Sequence, residues 1–345
     1  MIERIPVTLL TGFLGSGKTT LLGTMLRTPT FANTAVLINE LGAVGLDHHL
    51  ARGASETMRL LENGCVCCSV RDDLRSALAD LYWDRLHQRI PRFERVVIET
   101  TGLAEPAPLL QVLEGTDIVA ERYRWAGVLC TVDSMHAQRE LETRPEPARQ
   151  IALADLIFMT KVDITTAAEV QQIEVRLRAI NPVAAQFQVV RGEAPTQVWA
   201  ALQALMDDDK PPRPAAPKFI LHAPSPESTA FGRVALHAPD VRTFVVELAP
   251  MSRAALQAVL EQVTRSHGEA LLRVKGIACT TDPVRAVVVQ AVHEHLYPMT
   301  TLDRDVGTGA ALAPALVFII AAPSRSAADA IESTIRAELS ADQSK

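Results

Sequence analysis

The sequence predicts an α/β protein, a P-loop doubly wound and mostly parallel sheet with a smaller C-terminal α+β domain, and three observations carry that prediction. Short β-rich apolar runs alternate with helix-length segments from residue 7 to about 206. A glycine-rich loop, GFLGSGKT at 12–19, joins the first apolar run to the first helical stretch. An acidic and proline-rich tract, DDDKPPRPAAP at 207–217, separates this rhythm from a different one.

Taken in order, VTLLT (7–11), TAVLIN (34–39), TMRLL (57–61), RVVIET (95–100), WAGVLCTV (125–132), DLIFMT (155–160) and AQFQVV (185–190) read as strands. They are near-continuous apolar runs, as expected of strands covered on both faces by crossover helices. The four prolines of 207–217 suit neither a helix nor a central strand, so this tract is expected to be a linker between a domain at 1–206 and one at 218–345. Beyond it, TFVVEL (243–248), LLRVKGIACT (271–280), AVVVQAV (286–292) and ALVFII (315–320) read as strands of an antiparallel sheet. Helices are expected near 252–266 and from about 326.

The loop at 12–19 fits G-x-x-x-x-G-K-S/T with a strand before it and a helix after it, the context in which that pattern binds nucleotide phosphates. Gly12, Gly15, Ser16, Gly17 and Thr20 would frame the backbone N–H groups around the phosphates. Lys18 would reach the outer phosphoryl oxygens, and the Thr19 hydroxyl would ligate Mg2+. Thr160, Lys161 and Asp163 end a later strand as T-K-x-D. There Asp163 can accept from the N1 and N2 donors of guanine while the Lys161 stem lies over the ring, which points to GTP and GDP. Glu99 and Gly102 end an earlier strand as E-x-x-G. Glu99 is placed to hold the magnesium through water and the Gly102 N–H to sense the γ-phosphate. No glutamine follows Gly102 to orient the attacking water, so hydrolysis is expected to be slow.

Cys65, Cys67 and Cys68 lie within four residues in NGCVCCSV, too close for all three to pair with one another. Thiolates at this density suit a soft or borderline ion, zinc or another transition metal, with redox sensing and inert burial as the competing readings. Glu40, after the second strand, is the candidate that couples nucleotide to metal, and His136 is a weaker ligand candidate. Cys130 and Cys279 sit in apolar strand contexts and are expected in the core; His293 and His295 are spaced to share one face of a strand.

With 40 acidic against 34 basic residues and a net charge of -6, the chain offers no broad basic field for nucleic acid. The longest apolar run, 310–323, is shorter than a bilayer span, and the first residues lack the basic n-region of a secretion signal. Together with five cysteines that form no disulfide framework, this predicts a cytoplasmic protein without membrane partners.

The set TGFLGSGKTT, Asn39-Glu40, GCVCC, ETTGLAEP, VDSMHA and TKVD, in this order, resembles the CobW family of metallochaperone GTPases, most closely its YjiA branch. RVKGI and VVVQAVHEHLYP resemble the small C-terminal domain of that family, so nearly the whole chain is covered. Thr160 stands where the family more commonly has asparagine. The resemblance implies slow GTP hydrolysis coupled to metal binding by Cys65, Cys67 and Cys68 with Glu40 at the border. It also implies delivery of zinc or another transition metal to a client metalloprotein, and it leaves a homo-oligomer open. Two other readings remain at this point: a metal buffer or sensor in which the nucleotide is structural, and a P-loop kinase with a structural metal.

Overall fold

A computed structural model describes residues 4–31, 33–39, 58–61, 69–206, 241–281, 283–302 and 314–341. The expected linker at 207–217, and with it the proposed domain boundary, lies outside these residues. The chain divides into two compact units, one of Met1–Glu140, Ala154–Glu174 and Ala184–Lys210, the other of Leu141–Leu153, Val175–Val183 and Pro211–Lys345.

The first unit is built on a seven-stranded sheet. Its strands are β1 (Ile5–Gly12), β2 (Thr34–Asn39), β3 (Met58–Leu61), β4 (Arg95–Thr100), β5 (Tyr123–Asp133), β6 (Leu156–Thr160) and β7 (Ala185–Gln188). They are ordered β3-β2-β4-β1-β5-β6-β7 and every pairing is parallel. All seven apolar runs read from the sequence became these strands. The cause is visible in burial: all of β6 and all but one residue of β1 are buried, as a sheet covered on both faces requires. Helices α1 (Lys18–Leu26), α2 (Ser69–Leu86), α3 (Pro106–Leu110), α4 (Ile118–Arg122) and α5 (Ala137–Thr143) follow in chain order. After them come α6 (Glu146–Leu153), α7 (Ala167–Ile180) and α8 (Thr196–Met206). Leu22 and Met25 of α1, Val198 and Leu202 of α8, and Leu10, Val97 and Phe158 of the sheet share one apolar core. Because β1 sits between β4 and β5, three adjacent strands deliver their carboxyl ends to one place, where ligands bind in open parallel sheets.

The second unit carries strands β8 (Val241–Glu247), β9 (Leu271–Thr281), β10 (Val284–Val292), β11 (His295–Leu296), β12 (Thr300–Thr301) and β13 (Ala315–Ala321). They form an antiparallel sheet ordered β11-β10-β9-β13-β8, with β12 against β10. Helices α9 (Arg253–His267) and α10 (Arg325–Ala341) pack their apolar stripes on it, bringing Leu256, Leu260 and Ile335 against Phe244, Val289 and Phe318. Ser252 caps α9 by accepting from the Ala255 amide at 3.1 Å. Segments that precede the expected linker, Leu141–Leu153 and Val175–Val183, belong to this unit too. Arg273 of β9 donates to the Leu153 carbonyl, and Thr243 of β8 donates to the Ile180 carbonyl at 2.6 Å.

Two expectations need correction here. Cys130 is buried, but Cys279 is only partly so, because β9 has alternating exposure over that stretch. His293 and His295 do not share a strand face: β10 ends at Val292, and His293 enters a tight turn with φ +50°, its Nδ1 3.0 Å from the Gly268 carbonyl. Among the described residues no helix is long and apolar enough to cross a membrane.

Candidate nucleotide site

The loop between β1 and α1 turns where the chain leaves the sheet. Gly12 has φ +139°, and a Cβ there would lie 2.4 Å from the Thr131 carbonyl oxygen, so the loop can hug β5 only with glycine at that position. Gly15 and Gly17 continue it at φ +71° and +91°. Ser16 ties the loop to the sheet, its hydroxyl 2.6 Å from that of Thr131. Lys18 opens α1 with its ammonium turned back into the loop, donating to the carbonyls of Gly12 at 2.9 Å and Phe13 at 3.1 Å. Burial holds its pKa below the ordinary lysine value, an effect that the charge of Glu99 opposes. Burial also pushes the Cys130 thiol up to about 12, so that side chain is an inert neutral wall. Thr20 continues the first turn of α1.

Glu99 comes from β4 and is 5% exposed. The Thr19 hydroxyl donates to its Oε1 at 2.6 Å. A hydroxyl and a carboxylate, both hard oxygen donors, thus meet at the mouth of the phosphate loop, a donor set that fits magnesium, which takes a few protein oxygens and completes its shell with phosphate and water. Gly102 passes so close to the loop that a Cβ would be 2.4 Å from the Leu14 amide nitrogen, so the chain after β4 can lie against the phosphate loop only with glycine there. Leu103 follows it and is 46% exposed.

On the other side of β1, Thr160 at the end of β6 donates its hydroxyl to the Ser16 carbonyl at 2.8 Å, with Val132 O at 3.2 Å. Threonine therefore makes a bond between this strand and the phosphate loop although it replaces asparagine. Lys161 takes φ +56°, and its ammonium donates to Asp133 Oδ2 at 2.6 Å. Asp163 lies in the 3-10 turn Val162–Ile164, with Arg191 Nε 3.6 Å from its Oδ2.

The fold thus gathers Gly12, Gly15, Ser16, Gly17, Lys18, Thr19, Thr20, Glu99, Gly102, Thr160, Lys161 and Asp163 along the carboxyl edge of one sheet. Cys65, Cys67, Cys68 and Glu40 lie outside the described residues. Among those described, no group of three or more His, Cys, Asp or Glu could hold a metal ion, and His136 instead turns its Nδ1 to Asp133 Oδ2 at 2.8 Å. Sequence reasoning missed Thr131, Asp133 and Arg191. Thr131 and Asp133 end a strand adjacent to the loop, a positional signal open to a reader who had fixed the strand order. Arg191 sits in a turn closed by mutual Val190 and Glu193 backbone bonds of 3.1 and 2.8 Å, and its proximity to Asp163 has no local signature.

Comparison with known families matches residues 6–188 to the CobW/HypB/UreG nucleotide-binding domain and 241–339 to the C-terminal domain of cobalamin synthesis protein cobW. The chain is 32% identical over 297 residues to the zinc chaperone YjiA of Escherichia coli, covering 86% of this chain and 88% of that protein. It is 31% identical over 198 residues to the zinc-regulated GTPase metalloprotein activator 1 of Schizosaccharomyces pombe, covering 55% of this chain and 47% of that protein. The crystal structure of Zn(II)-bound YjiA GTPase from E. coli superposes with a TM-score of 0.68 at 26% identity, covering 99% of both chains.

Proposed function

This chain belongs to the CobW/HypB/UreG nucleotide-binding family, and on that premise we propose that it is a GTP-dependent metal chaperone that loads zinc or another transition metal at its C-x-C-C loop and delivers it to a client metalloprotein. It is a GTP hydrolase. The observation that carries the nucleotide half is the Thr19 hydroxyl on the Glu99 carboxylate at 2.6 Å, set against a loop whose lysine is already turned inward. Lys18 exchanges the Gly12 and Phe13 carbonyls for phosphoryl oxygens, a trade of neutral acceptors for charged ones that favours binding. Thr19 and Glu99 would hold Mg2+, which supplies neutralisation of the phosphate charge when bound. Asp163 reads the guanine edge and Lys161 covers its face. Leu103 occupies the place where a water-orienting glutamine would act, so intrinsic turnover is slow and the phosphate state is long-lived enough to serve as a signal.

The metal half is supported by the thiols of Cys65, Cys67 and Cys68, with Glu40 beside them in the chain order of the family, and by relatives named as zinc chaperones. Zinc is cargo in this reading. GTP orders the loops that carry these residues, and hydrolysis changes their hold on the metal. The test is zinc affinity measured with GDP and with a non-hydrolysable GTP analogue, for the wild type and for Cys67→Ala. A difference between nucleotide states that Cys67→Ala abolishes is expected; equal affinities in both states would leave a passive metal buffer.

A further inference from the structure

At the end of β5, Asp133 holds a carboxylate whose side chain is only 3% exposed, and it accepts three hydrogen bonds. The Lys161 ammonium donates to Oδ2 at 2.6 Å, His136 Nδ1 lies 2.8 Å from the same oxygen, and the Met135 amide donates to Oδ1 at 2.9 Å. Burial alone would raise its pKa, but these donors outweigh burial and hold it below the ordinary aspartate value, so the group is an anion. The backbone fixes the same arrangement: Ser134 N donates to the Thr160 carbonyl at 3.0 Å, locking the end of β5 to the residue before Lys161, and the left-handed conformation of Lys161 sets the direction in which its side chain leaves. A free lysine side chain has about 2 kcal/mol of rotamer entropy and a strongly hydrated head that draws the stem into water. Here the head is tied down next to the loop.

We infer that Asp133, with His136 as the second donor on the same oxygen, is a positioning residue for the guanine base, anchoring the Lys161 ammonium so that the lysine stem stands as a preformed wall of the base pocket. This rests on the reading that Lys161 and Asp163 take guanine. Neither the Asp133 nor the His136 side chain hydrogen-bonds to the phosphate loop, so their contribution is confined to the base side and to affinity; the barrier to hydrolysis is set elsewhere. Preorganisation of this kind lowers the entropic cost of binding at the pocket wall.

Asp133→Asn keeps the shape and the acceptor for Met135 while removing the charge. Dissociation of a fluorescent GDP and the steady-state constants for GTP are the readouts. The expected result is GDP affinity about tenfold weaker and a raised KM at unchanged kcat, with the effect vanishing in a Lys161→Met background. A full loss persisting in that background, or no loss in either, overturns the inference. Should Asp133→Asn melt early, His136→Ala, at a half-exposed position, must weaken GDP binding in the same direction by about threefold, and silence there also overturns it. Asp163→Asn separates the two readings. A switch in preference from GTP to XTP supports the guanine pocket, and its absence sinks that pocket. A clean switch with a silent Asp133→Asn sinks the positioning role alone.

Discussion

A methyl group added at Gly12 would meet the Thr131 carbonyl and hydroxyl oxygens at 2.4 Å and the Ser16 hydroxyl at 2.8 Å. Two of these contacts belong to the Ser16–Thr131 pair that ties the loop to β5, so relief requires the loop to lift away from the sheet. Gly12→Ala is therefore expected to destabilise the protein by about 3 kcal/mol, through overpacking plus strain at φ +139°, and to lose nucleotide binding, checked by thermal melting and GDP titration. Thr19→Ala is the complementary change. It removes one small polar group from a partly buried pair and should leave melting nearly intact while GTP hydrolysis falls about 100-fold or more. These residues were legible in the sequence because the motif spacing names them. Asp133 was not, since a single carboxylate after a strand looks like any solvated cap until its three donors are seen.

Helix ends and helix junctions carry the next scale. Asp117 caps α4, accepting from the Val119 and Ala120 amides at 3.1 and 3.2 Å, and Arg75 of α2 donates to its other oxygen. The Arg75 hydrogen bond, foremost, and these amides hold its pKa below the ordinary aspartate value. The ionised carboxylate thus contributes stability that is fully present above pH 3.8 and is lost as pH falls through the lower folded value. Asp117→Asn keeps a capping oxygen but should flatten this acid limb of the stability curve, while Asp117→Ala should cost about 1 kcal/mol at neutral pH. In the second unit Asn181, fully buried, donates to the Ile151 and Ala152 carbonyls at 2.7 and 3.1 Å, joining the end of α7 to α6. Asn181→Ala strands two carbonyls and should cost about 2 to 3 kcal/mol in urea unfolding; a change under half of that would mean water replaces the amide. The strands were readable because both-face burial forces continuous apolar runs. The α6–α7 junction was not, because it depends on pairing between residues 30 apart.

For the whole molecule, the residues at 141–153 and 175–183 are claimed by the C-terminal unit, whose Arg273 and Thr243 satisfy the Leu153 and Ile180 carbonyls. A fragment ending at Met206 loses those donors and is expected to melt below the full chain by scanning calorimetry; coincident midpoints would show that the first 206 residues fold without them. The amino-acid sequence by itself determined the α/β class, the parallel and antiparallel strands and the phosphate loop. Each of these is written in residue spacing over a few positions, where local geometry and periodicity act directly. Only the tertiary structure decided that Thr160 bonds the Ser16 carbonyl, that Asp133 gathers Lys161 and His136, that the two histidines near residue 294 part at a turn, and that the chain's second unit reaches back for α6. Those arrangements are contacts between distant parts of the chain, set by which strands become neighbours in a sheet, and that order is fixed by the packing of the whole core.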